Sequence, residues 1–349
     1  MTNIYLIRHA EAEGNIYRRT QGHYNSLVTK NGLRQIEALR ARFQDIPVDA
    51  AYSSDLYRTA TTARAIYEPK NLPLHTDPRF REVYFGKFED MPFGAFGHFY
   101  KQALDCFNQD PVHADLCDGE RFSQYTGRFL AAMTEYAEQN DGKTIVIVSH
   151  GSMLRGVQLR LFAPALTVKQ IGHCDNTGVS LLHYENGSYR YDYLNDASHL
   201  SPEISTLARQ NWWRSNKASD DYNLWYRDAT DPAELLAFLS HIPETGRGFF
   251  GMLDEQPIGL VWLAENEGDV GEICYLGMKE GYRGRDFAIQ LLGTGVCVYR
   301  AEGKRAVALT VPRDNAPMLR FLAKYGYIQV AEDARTLRFS SSIEVPKIP

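Results

Sequence analysis

Two short apolar runs, each ending abruptly near a histidine, constrain the fold of this 349-residue chain more than any other feature. Residues 3–7 (NIYLI) lead into Arg8-His9, and residues 144–148 (TIVIV) lead through one serine into His150. Runs of this kind are typical of buried strands in a parallel sheet. Because ligands bind at the carboxyl ends of such strands, the pattern predicts that both histidines and the arginine converge on one crevice.

That convergence suits phosphoryl chemistry. One imidazole can attack phosphorus, while the arginine and the second imidazole hold the charged oxygens. For a single histidine, the simpler interpretation is a residue that merely ends a strand at the surface. Two histidines in the same kind of position, one of them preceded by arginine, favour a functional site.

A third strand and its helix place another cation near the same edge. Residues 49–53 (DAAYS) predict a strand, and residues 59–67 predict a helix, so Arg58 falls in the first helical turn. Helix N-termini attract anions through free N–H groups and the dipole, and a guanidinium adds a planar fork suited to phosphate. The alternative for Arg58 is a surface residue on an amphipathic helix.

Glu82 is the candidate proton donor. It follows Arg81 and precedes an aromatic, glycine-containing loop at residues 83–88 (VYFGKF). A carboxyl near a dianion has its pKa raised by like charge and desolvation, so it can stay protonated and donate to a leaving alkoxide. An exposed glutamate beside Arg81 is an equal alternative on sequence alone.

These residues belong to a longer series of motifs that resembles the histidine phosphatase (phosphoglycerate mutase-like) superfamily. The series covers roughly residues 1–200 in the family's order. Its segments are 6–15, 21–22, 27–29, 32, 53–60, 81–82, 85–86, 119–120, 128 and 148–151. The resemblance implies an α/β fold with a three-layer α/β/α domain.

The resemblance also implies roles for individual residues. His9 would become phosphorylated, and Glu82 would act as the general acid and then as the base that activates water. Arg8, Arg58 and His150 would hold the phosphoryl group. The other substrate-binding residues implied are Asn15, Gln21, Gly22 and Gly151. Family members work without a metal, and small residues, Ala10 and Ser152, stand where the family commonly has glycine.

Hydrolysis and mutase transfer are separate possibilities within this family. A mutase must retain and return the phosphoryl group, so it has to exclude water. The family's mutases carry longer insertions and a closing tail, whereas this domain is nearer the compact length of the phosphatases. Residues 91–118 contain Phe93, Phe96, Phe99, Tyr100 and Phe107, which predict a lid with an apolar wall, although plain helix packing would use the same residues. A phosphatase is favoured, with mutase-type transfer as the alternative.

A non-catalytic phosphate sensor on the same fold is a rival from another class. Such a sensor has no need of an acid beside a nucleophile. The chain keeps the charged or titratable residue at every expected catalytic position, and this argues for an enzyme.

Length and charge limit the remaining possibilities. At 349 residues the chain is expected to form two or three domains. A net charge of −5 and a pI near 6.1 disfavour a nucleic-acid binder. We expect no membrane span and no signal peptide, and five scattered cysteines fit a reducing cytoplasm. The expected partner is a small phosphorylated metabolite, and homo-oligomerisation is left open.

A second domain is predicted over residues 222–349, after a linker at 201–221. The linker contains Trp212-Trp213, which we expect to pack between domains or against a partner, with ordinary core burial as an equal alternative. The second domain is predicted to be a smaller α+β unit with a mixed sheet. Its expected elements are helices at 231–239, 286–300 and 316–324, and strands at 248–253, 257–264, 272–278, 305–311 and 327–330.

A glycine-containing basic loop at residues 281–285 (GYRGR) joins one of these strands to a helix. Such a turn makes an anion site from backbone N–H groups. Over roughly residues 222–335 the chain resembles the GCN5-related N-acetyltransferases (GNAT), and the loop resembles their acetyl-CoA pyrophosphate loop. The implied cofactor-binding residues are Arg283, Gly284, Arg285, Asp286, Phe287, Ala288 and Asn315.

Two departures from that family leave acetyl transfer to an acceptor amine open. Asp286 occupies the middle glycine of the motif, where we expect it to cap the helix N–H groups and to compete with a pyrophosphate. Leu322 stands where many members place the tyrosine that protonates the leaving thiolate. The alternative is a catalytically degenerate domain used for sensing or dimerisation.

Overall fold

The computed structural model describes residues 1–210 and 223–348, which are organised around two β-sheets. The first sheet has the strand order β3-β2-β4-β1-β5-β6. Its strands are β1 (Thr2–Arg8), β2 (Ala50–Ser53), β3 (Leu74–Thr76), β4 (Thr144–Ser149), β5 (Val179–Glu185) and β6 (Ser188–Asp196). Strands β1 to β4 are parallel, and β5 and β6 are each antiparallel to their neighbours.

Helices cover both faces of this sheet. They are α1 (Glu13–Tyr17), α2 (Lys30–Arg42), α3 (Tyr57–Tyr67), α4 (Phe93–Phe99), α5 (Lys101–Gln109), α6 (Phe122–Gln139), α7 (Gly151–Phe162) and α8 (Val168–Ile171). Successive residues of β1 point to opposite faces, so Leu6 joins a core with Met153 of α7, and Ile7 joins a core with Ile36 of α2. The predicted three-layer α/β/α arrangement is confirmed.

The register of the central strands positions the two histidines. β1 pairs in parallel with β4, and Arg8 lies opposite Ser149 in the last pair of the ladder. His9 and His150 therefore leave neighbouring strands at the same edge of the sheet. This is the convergence that the two apolar runs predict.

The second sheet has the order β12-β13-β11-β10-β9-β8-β7. Its strands are β7 (Trp225–Asp228), β8 (Arg247–Leu253), β9 (Gln256–Leu263), β10 (Val270–Met278), β11 (Ala306–Pro312), β12 (Ile328–Glu332) and β13 (Thr336–Ser342). Its helices are α9 (Pro232–Leu235), α10 (Phe287–Ala301) and α11 (Ala316–Lys324). Strands β10 and β11 are parallel and the other pairs are antiparallel, so the predicted mixed sheet is confirmed.

The structure differs from the predicted elements in three places of this region. The helix expected at 231–239 is shortened to Pro232–Leu235 and continues as turns, in which Phe238 and Leu239 still pack on the same apolar cluster. Strands β7 and β13 were not predicted. β7 is only four residues long, and β13 carries three serines in TLRFSSS, so neither has a strong apolar pattern.

The beginning of the predicted linker folds back on the first domain. The Ser205 hydroxyl and the Thr206 backbone N–H both donate to the carboxylate of Asp175, and Arg209 forms an ion pair with Glu11. Residues 211–222, which include the paired tryptophans, lie outside the described residues. The boundaries at 200 and 222 stay predictions.

No helix within residues 1–210 and 223–348 is long and apolar enough to cross a membrane.

Candidate active site

His9 is held as a neutral imidazole at the end of β1. Its side chain is buried, and Nδ1 lies 2.7 Å from the carbonyl oxygen of Ala10, to which an N–H at this position donates. Burial holds the pKa of His9 well below its usual range, and the positive charges of Arg58 and Arg8 lower it further. With Nδ1 carrying the proton, Nε2 keeps its lone pair. An imidazole in this state can act as a nucleophile at neutral pH.

His150 lies beside His9 and has no hydrogen-bond partner for either ring nitrogen among the described residues. The two ring centroids are 5.3 Å apart, and His150 is fully buried. The Nε atoms of Arg8 and Arg58 are also buried without an acceptor. Buried polar groups nearly always have partners, so four such nitrogen atoms around His9 favour a site for an anion.

Arg58 supports a loop as well as facing this site. It lies in the first turn of α3, as the sequence predicts, and is fully buried. Its terminal nitrogens donate to the carbonyl oxygens of Gly22 and Tyr24, both at 2.8 Å. Burial lowers the pKa of Arg58 to about 10, so the guanidinium remains charged at neutral pH. The interpretation of Arg58 as a surface residue is wrong.

The loop held by Arg58 also depends on Glu89, which the sequence analysis missed. The Glu89 carboxylate accepts backbone N–H groups from His23, Tyr24 and Phe85 at 3.1, 3.0 and 2.8 Å. A Cβ atom at Gly22 would collide with this carboxylate, so only glycine fits there. Nothing in the local sequence separates Glu89 from an ordinary surface glutamate.

Glu82 is buried beside the start of α7. Its carboxylate accepts backbone N–H groups from Met153 at 2.7 Å, Val83 at 3.0 Å and Ser152 at 3.1 Å. Burial raises the pKa of Glu82, while these donors and Arg58 oppose the increase. A phosphoryl dianion would raise the pKa further. Arg81 forms its ion pair with Asp55 instead, so the interpretation of Glu82 as an exposed partner of Arg81 is wrong.

A cavity of about 210 Å³ opens over these groups. The predicted residues that line it are Arg8, His9, Asn15, Gln21, Glu82 and Gly151. Gly22, Arg58 and His150 are not among the residues that line it. A Cβ atom at Gly151 would lie 3.0 Å from Nε of Arg8, so glycine lets the guanidinium cross the helix start.

The outer part of this cavity, which we call the outer cavity, is apolar on one side and cationic on the other. The segment predicted as a lid contributes Phe93, Phe96, Leu104 and Phe107, whereas Phe99 is 57% exposed and lies elsewhere. The sequence analysis missed Arg155, one turn after Gly151 on α7, whose Nε is buried without an acceptor. Its Nη2 donates to the carbonyl oxygen of Asn108 at 3.0 Å. In the sequence, nothing distinguishes Arg155 from an ordinary surface arginine on a helix.

Residues beyond the first sheet complete the cavity. Thr206, Leu207, Gln210 and Asn223 line it, and Nε of Arg18 donates to the Asn223 side chain at 2.8 Å. In the described parts of the chain, no group of three or more His, Cys, Asp or Glu side chains could hold a metal ion.

The predicted acyl-CoA loop lies at the start of α10, but Asp286 behaves differently from the expectation. Asp286 adopts a left-handed conformation with φ 54°, and its side chain makes no cap hydrogen bond to the helix. Its carboxylate accepts from Lys324 at 3.1 Å and from the hydroxyl of Tyr325 at 3.3 Å. The expectation that Asp286 caps the helix is therefore wrong, because its carboxylate is directed to α11.

The other residues predicted to bind the cofactor differ in backbone conformation, hydrogen bonds and burial. Gly284 has φ 72°, which favours glycine, and Nε of Arg283 donates to the carbonyl oxygen of Met278 at 3.1 Å. The Phe287 side chain is buried in the core, so only its backbone can face a ligand. Asn315 caps α11 by accepting from the Met318 N–H at 3.2 Å. Arg285 and Ala288 lie in the same turn.

The two parallel strands beside this loop separate along their length. β10 and β11 pair only from Val270 to Glu272 on β10. From Ile273 to Met278 the ladder of β10 is formed with β9. The side of β10 that faces β11 therefore presents backbone groups on which an extended ligand with amide groups can form hydrogen bonds.

The fold agrees with comparisons to known families. Residues 4–197 match the histidine phosphatase superfamily (branch 1), and the chain belongs to this superfamily. Residues 208–327 match the acetyltransferase (GNAT) family. The two resemblances seen in the sequence are therefore confirmed.

Named relatives include both phosphatases and mutases. The chain is 29% identical over 205 residues to a metal-independent phosphoserine phosphatase of Arabidopsis thaliana, covering 58% of this chain and 84% of that protein. It is 32% identical over 215 residues to a probable phosphoglycerate mutase GpmB of Yersinia pestis (strain Pestoides F), covering 60% and 100%. The solved structure of Bacillus stearothermophilus YhfR is 26% identical with a TM-score of 0.53, covering 58% of this chain and all of that one.

Proposed function

We propose that the chain is a phosphomonoesterase that acts on a small phosphorylated metabolite through a phosphohistidine at His9. The observation that carries this proposal is the set of four orphaned nitrogen atoms, on Arg8, Arg58 and His150, around a neutral imidazole. A phosphoryl group supplies oxygen acceptors for these nitrogens. The imidazole supplies a nucleophile that needs no separate base.

In the first half of the reaction, Nε2 of His9 attacks phosphorus. A P–N bond forms and the P–O bond to the leaving group breaks, while the protonated Glu82 carboxyl gives its proton to the leaving oxygen. The cations Arg8 and Arg58 stabilise the charge on the transferred oxygens. The product alcohol then leaves the outer cavity.

In the second half, water replaces the alcohol. The Glu82 carboxylate takes a proton from this water as its oxygen bonds to phosphorus and the P–N bond breaks. His9 returns to the neutral form, Glu82 to the protonated form, and inorganic phosphate is released. The backbone N–H groups of Ser152 and Met153 hold the carboxylate in place through both halves.

The length of the first domain does not separate hydrolysis from mutase transfer, because a protein named as a probable phosphoglycerate mutase matches it over its whole length. We propose hydrolysis because the Glu82 carboxyl lines the cavity beside His9, where it can take a proton from water once the alcohol has left. The test is a turnover screen of phosphate monoesters with the full chain, with 3-phosphoglycerate as the mutase probe. We expect release of inorganic phosphate from at least one ester. Isomerisation of 3-phosphoglycerate without phosphate release would contradict hydrolysis and show that the chain is a mutase.

We further propose that the second domain binds acyl-CoA and transfers the acyl group to an amine. Two observations support it: the helix start at Phe287 is not capped by Asp286, and β10 separates from β11 beside it. Titration of the full chain with acetyl-CoA tests the binding. We also propose a cytoplasmic location, which the five unpaired thiols support because thiols persist in a reducing compartment.

A further inference from the structure

A partly buried arginine of the second domain is bonded to the first domain close to the candidate active site. Arg300, in the last turn of α10, directs Nη2 to both carboxylate oxygens of Glu13, at 2.8 and 3.0 Å. Its Nη1 donates to the hydroxyl of Tyr24. The side chains of Arg300 and Glu13 are only 16% and 9% exposed. This pair is therefore shielded from solvent, unlike an ordinary surface ion pair.

Glu13 begins the helix that follows the nucleophile. It is the first residue of α1, four positions after His9, and α1 also carries Asn15 at the cavity wall. The Glu13 carboxylate accepts the backbone N–H of Leu27 at 3.0 Å, which joins α1 to the chain entering α2. Burial raises the pKa of Glu13, and Arg300 opposes this increase. Removing Arg300 leaves a buried carboxyl without its counter-charge.

Tyr24 connects the same arginine to Arg58. The Tyr24 hydroxyl accepts from Arg300, while its backbone carbonyl accepts from Nη1 of Arg58 at 2.8 Å. The Tyr24 backbone N–H donates to Glu89. A shift of the Tyr24 ring would therefore disturb the carbonyl that holds the phosphate-facing guanidinium.

Close packing fixes α10 against α1. Gly293 of α10 lies against the ring of Tyr17, and a Cβ atom at this glycine would lie 2.6 Å from Cδ1 of the ring and 2.7 Å from Cβ of Tyr17. Tyr17 belongs to the apolar core of the second domain, although it lies in the first. The two domains thus share one core at this point, and α10 cannot slide along α1 without a clash.

We propose that Arg300 is a positioning residue for the phosphatase reaction, so that the acetyltransferase-like domain completes the phosphatase site. This inference rests on the proposed phosphatase function at His9. Arg300 acts through Glu13 and Tyr24, which set the position of α1 and of the loop held by Arg58. It does not contact the reacting atoms.

The test compares Arg300→Met with Arg305→Met in the full chain. Arg305 forms an exposed ion pair with Glu344 in the same domain and is the matched control. With p-nitrophenyl phosphate, Arg300→Met should lower kcat per folded molecule by about tenfold or more. Arg305→Met should leave kcat unchanged. Thermal unfolding and circular dichroism determine the folded fraction of each variant.

Two further variants separate positioning from plain loss of stability. Arg300→Met combined with Glu13→Gln removes the uncompensated carboxylate and should recover part of kcat. Gly293→Ala should lower kcat without changing any charge, whereas Gly127→Ala is its control, since a Cβ there meets Arg160 at an ordinary 3.5 Å. Equal kcat in folded Arg300→Met and Arg305→Met, with an active wild type, would overturn the positioning role. An inactive wild type would instead overturn the proposed function.

Discussion

The carboxylate of Glu82 accepts the backbone N–H of Met153 at 2.7 Å, which ties the proposed acid to the helix that begins after His150. Glu82 and His150 are 68 residues apart in sequence, but the first turn of α7 fixes one relative to the other. This geometry places the Glu82 carboxyl group beside His9 without a direct bond to a cation. The chemical role of Glu82 is therefore open to direct measurement.

Glu82→Gln should slow alkyl phosphates far more than aryl phosphates. An alkoxide needs a proton as the P–O bond breaks, whereas a nitrophenolate hardly needs one. General acid catalysis contributes about 10²- to 10⁴-fold, and we expect a loss in that range for an alkyl ester. Steady-state kinetics on a matched pair of esters checks it. Equal losses for the two esters would remove Glu82 from the acid role.

His150 should make the protein less stable in mild acid. Burial holds the pKa of His150 well below its ordinary value of 6.5, so the folded state keeps it neutral while the unfolded chain binds a proton. The unfolded state then binds more protons below pH 6.5, and stability falls as the pH falls. Each such group costs up to about 1.4 kcal/mol per pH unit.

Urea unfolding at pH 7.5 and 5.5 tests this effect against His150→Gln. The free energy of unfolding should fall more for the wild type than for the variant, because the variant lacks this titrating group. An identical pH dependence in the two proteins would show that His150 binds a proton as readily in the folded state as in the unfolded chain.

The site is only partly predictable from the sequence. The positions of His9 and His150 follow from two apolar runs, since parallel strands bring their carboxyl ends to one edge. The position of Arg58 at a helix start follows from the same kind of pattern. Glu89 and Arg155 could not be found, because each is an ordinary polar residue until the chain folds around it.

Contacts between the domains could not be predicted from local sequence patterns either. Arg300 and Glu13 are 287 positions apart, and each lies on a helix with an unremarkable sequence. The left-handed backbone of Asp286 could not be predicted, because aspartate commonly caps helices from an extended conformation. Strand β13 was missed because SSS lacks the apolar alternation that marks a half-buried strand.

Asp286→Gly should tighten acetyl-CoA binding, although not by uncapping the helix. The substitution removes a negative charge near the loop and releases the Lys324 ammonium from its ion pair with Asp286. An exposed pair of this kind is worth at most about 1 kcal/mol, so we expect a gain of roughly 2- to 5-fold. Glycine also adopts the left-handed conformation without strain.

Calorimetry on the full chain measures this gain. Adding Lys324→Met to the Asp286→Gly variant should remove the share of the affinity gain that comes from the released lysine. Adding Lys169→Met instead, on the exposed surface of α8, should leave the gain unchanged. Absence of binding by both the wild type and Asp286→Gly would favour a domain that serves sensing or dimerisation.

Trapping of the covalent intermediate tests the central claim most directly. The full chain is mixed with a turned-over phosphate ester, quenched in alkaline denaturant and digested, and the phosphorylated residue is located by mass spectrometry. We predict a phosphohistidine at His9 in the wild type, and neither the adduct nor measurable turnover in folded His9→Ala. Turnover by His9→Ala at a near wild-type rate, or a phosphoryl adduct on a residue other than His9, would contradict the account.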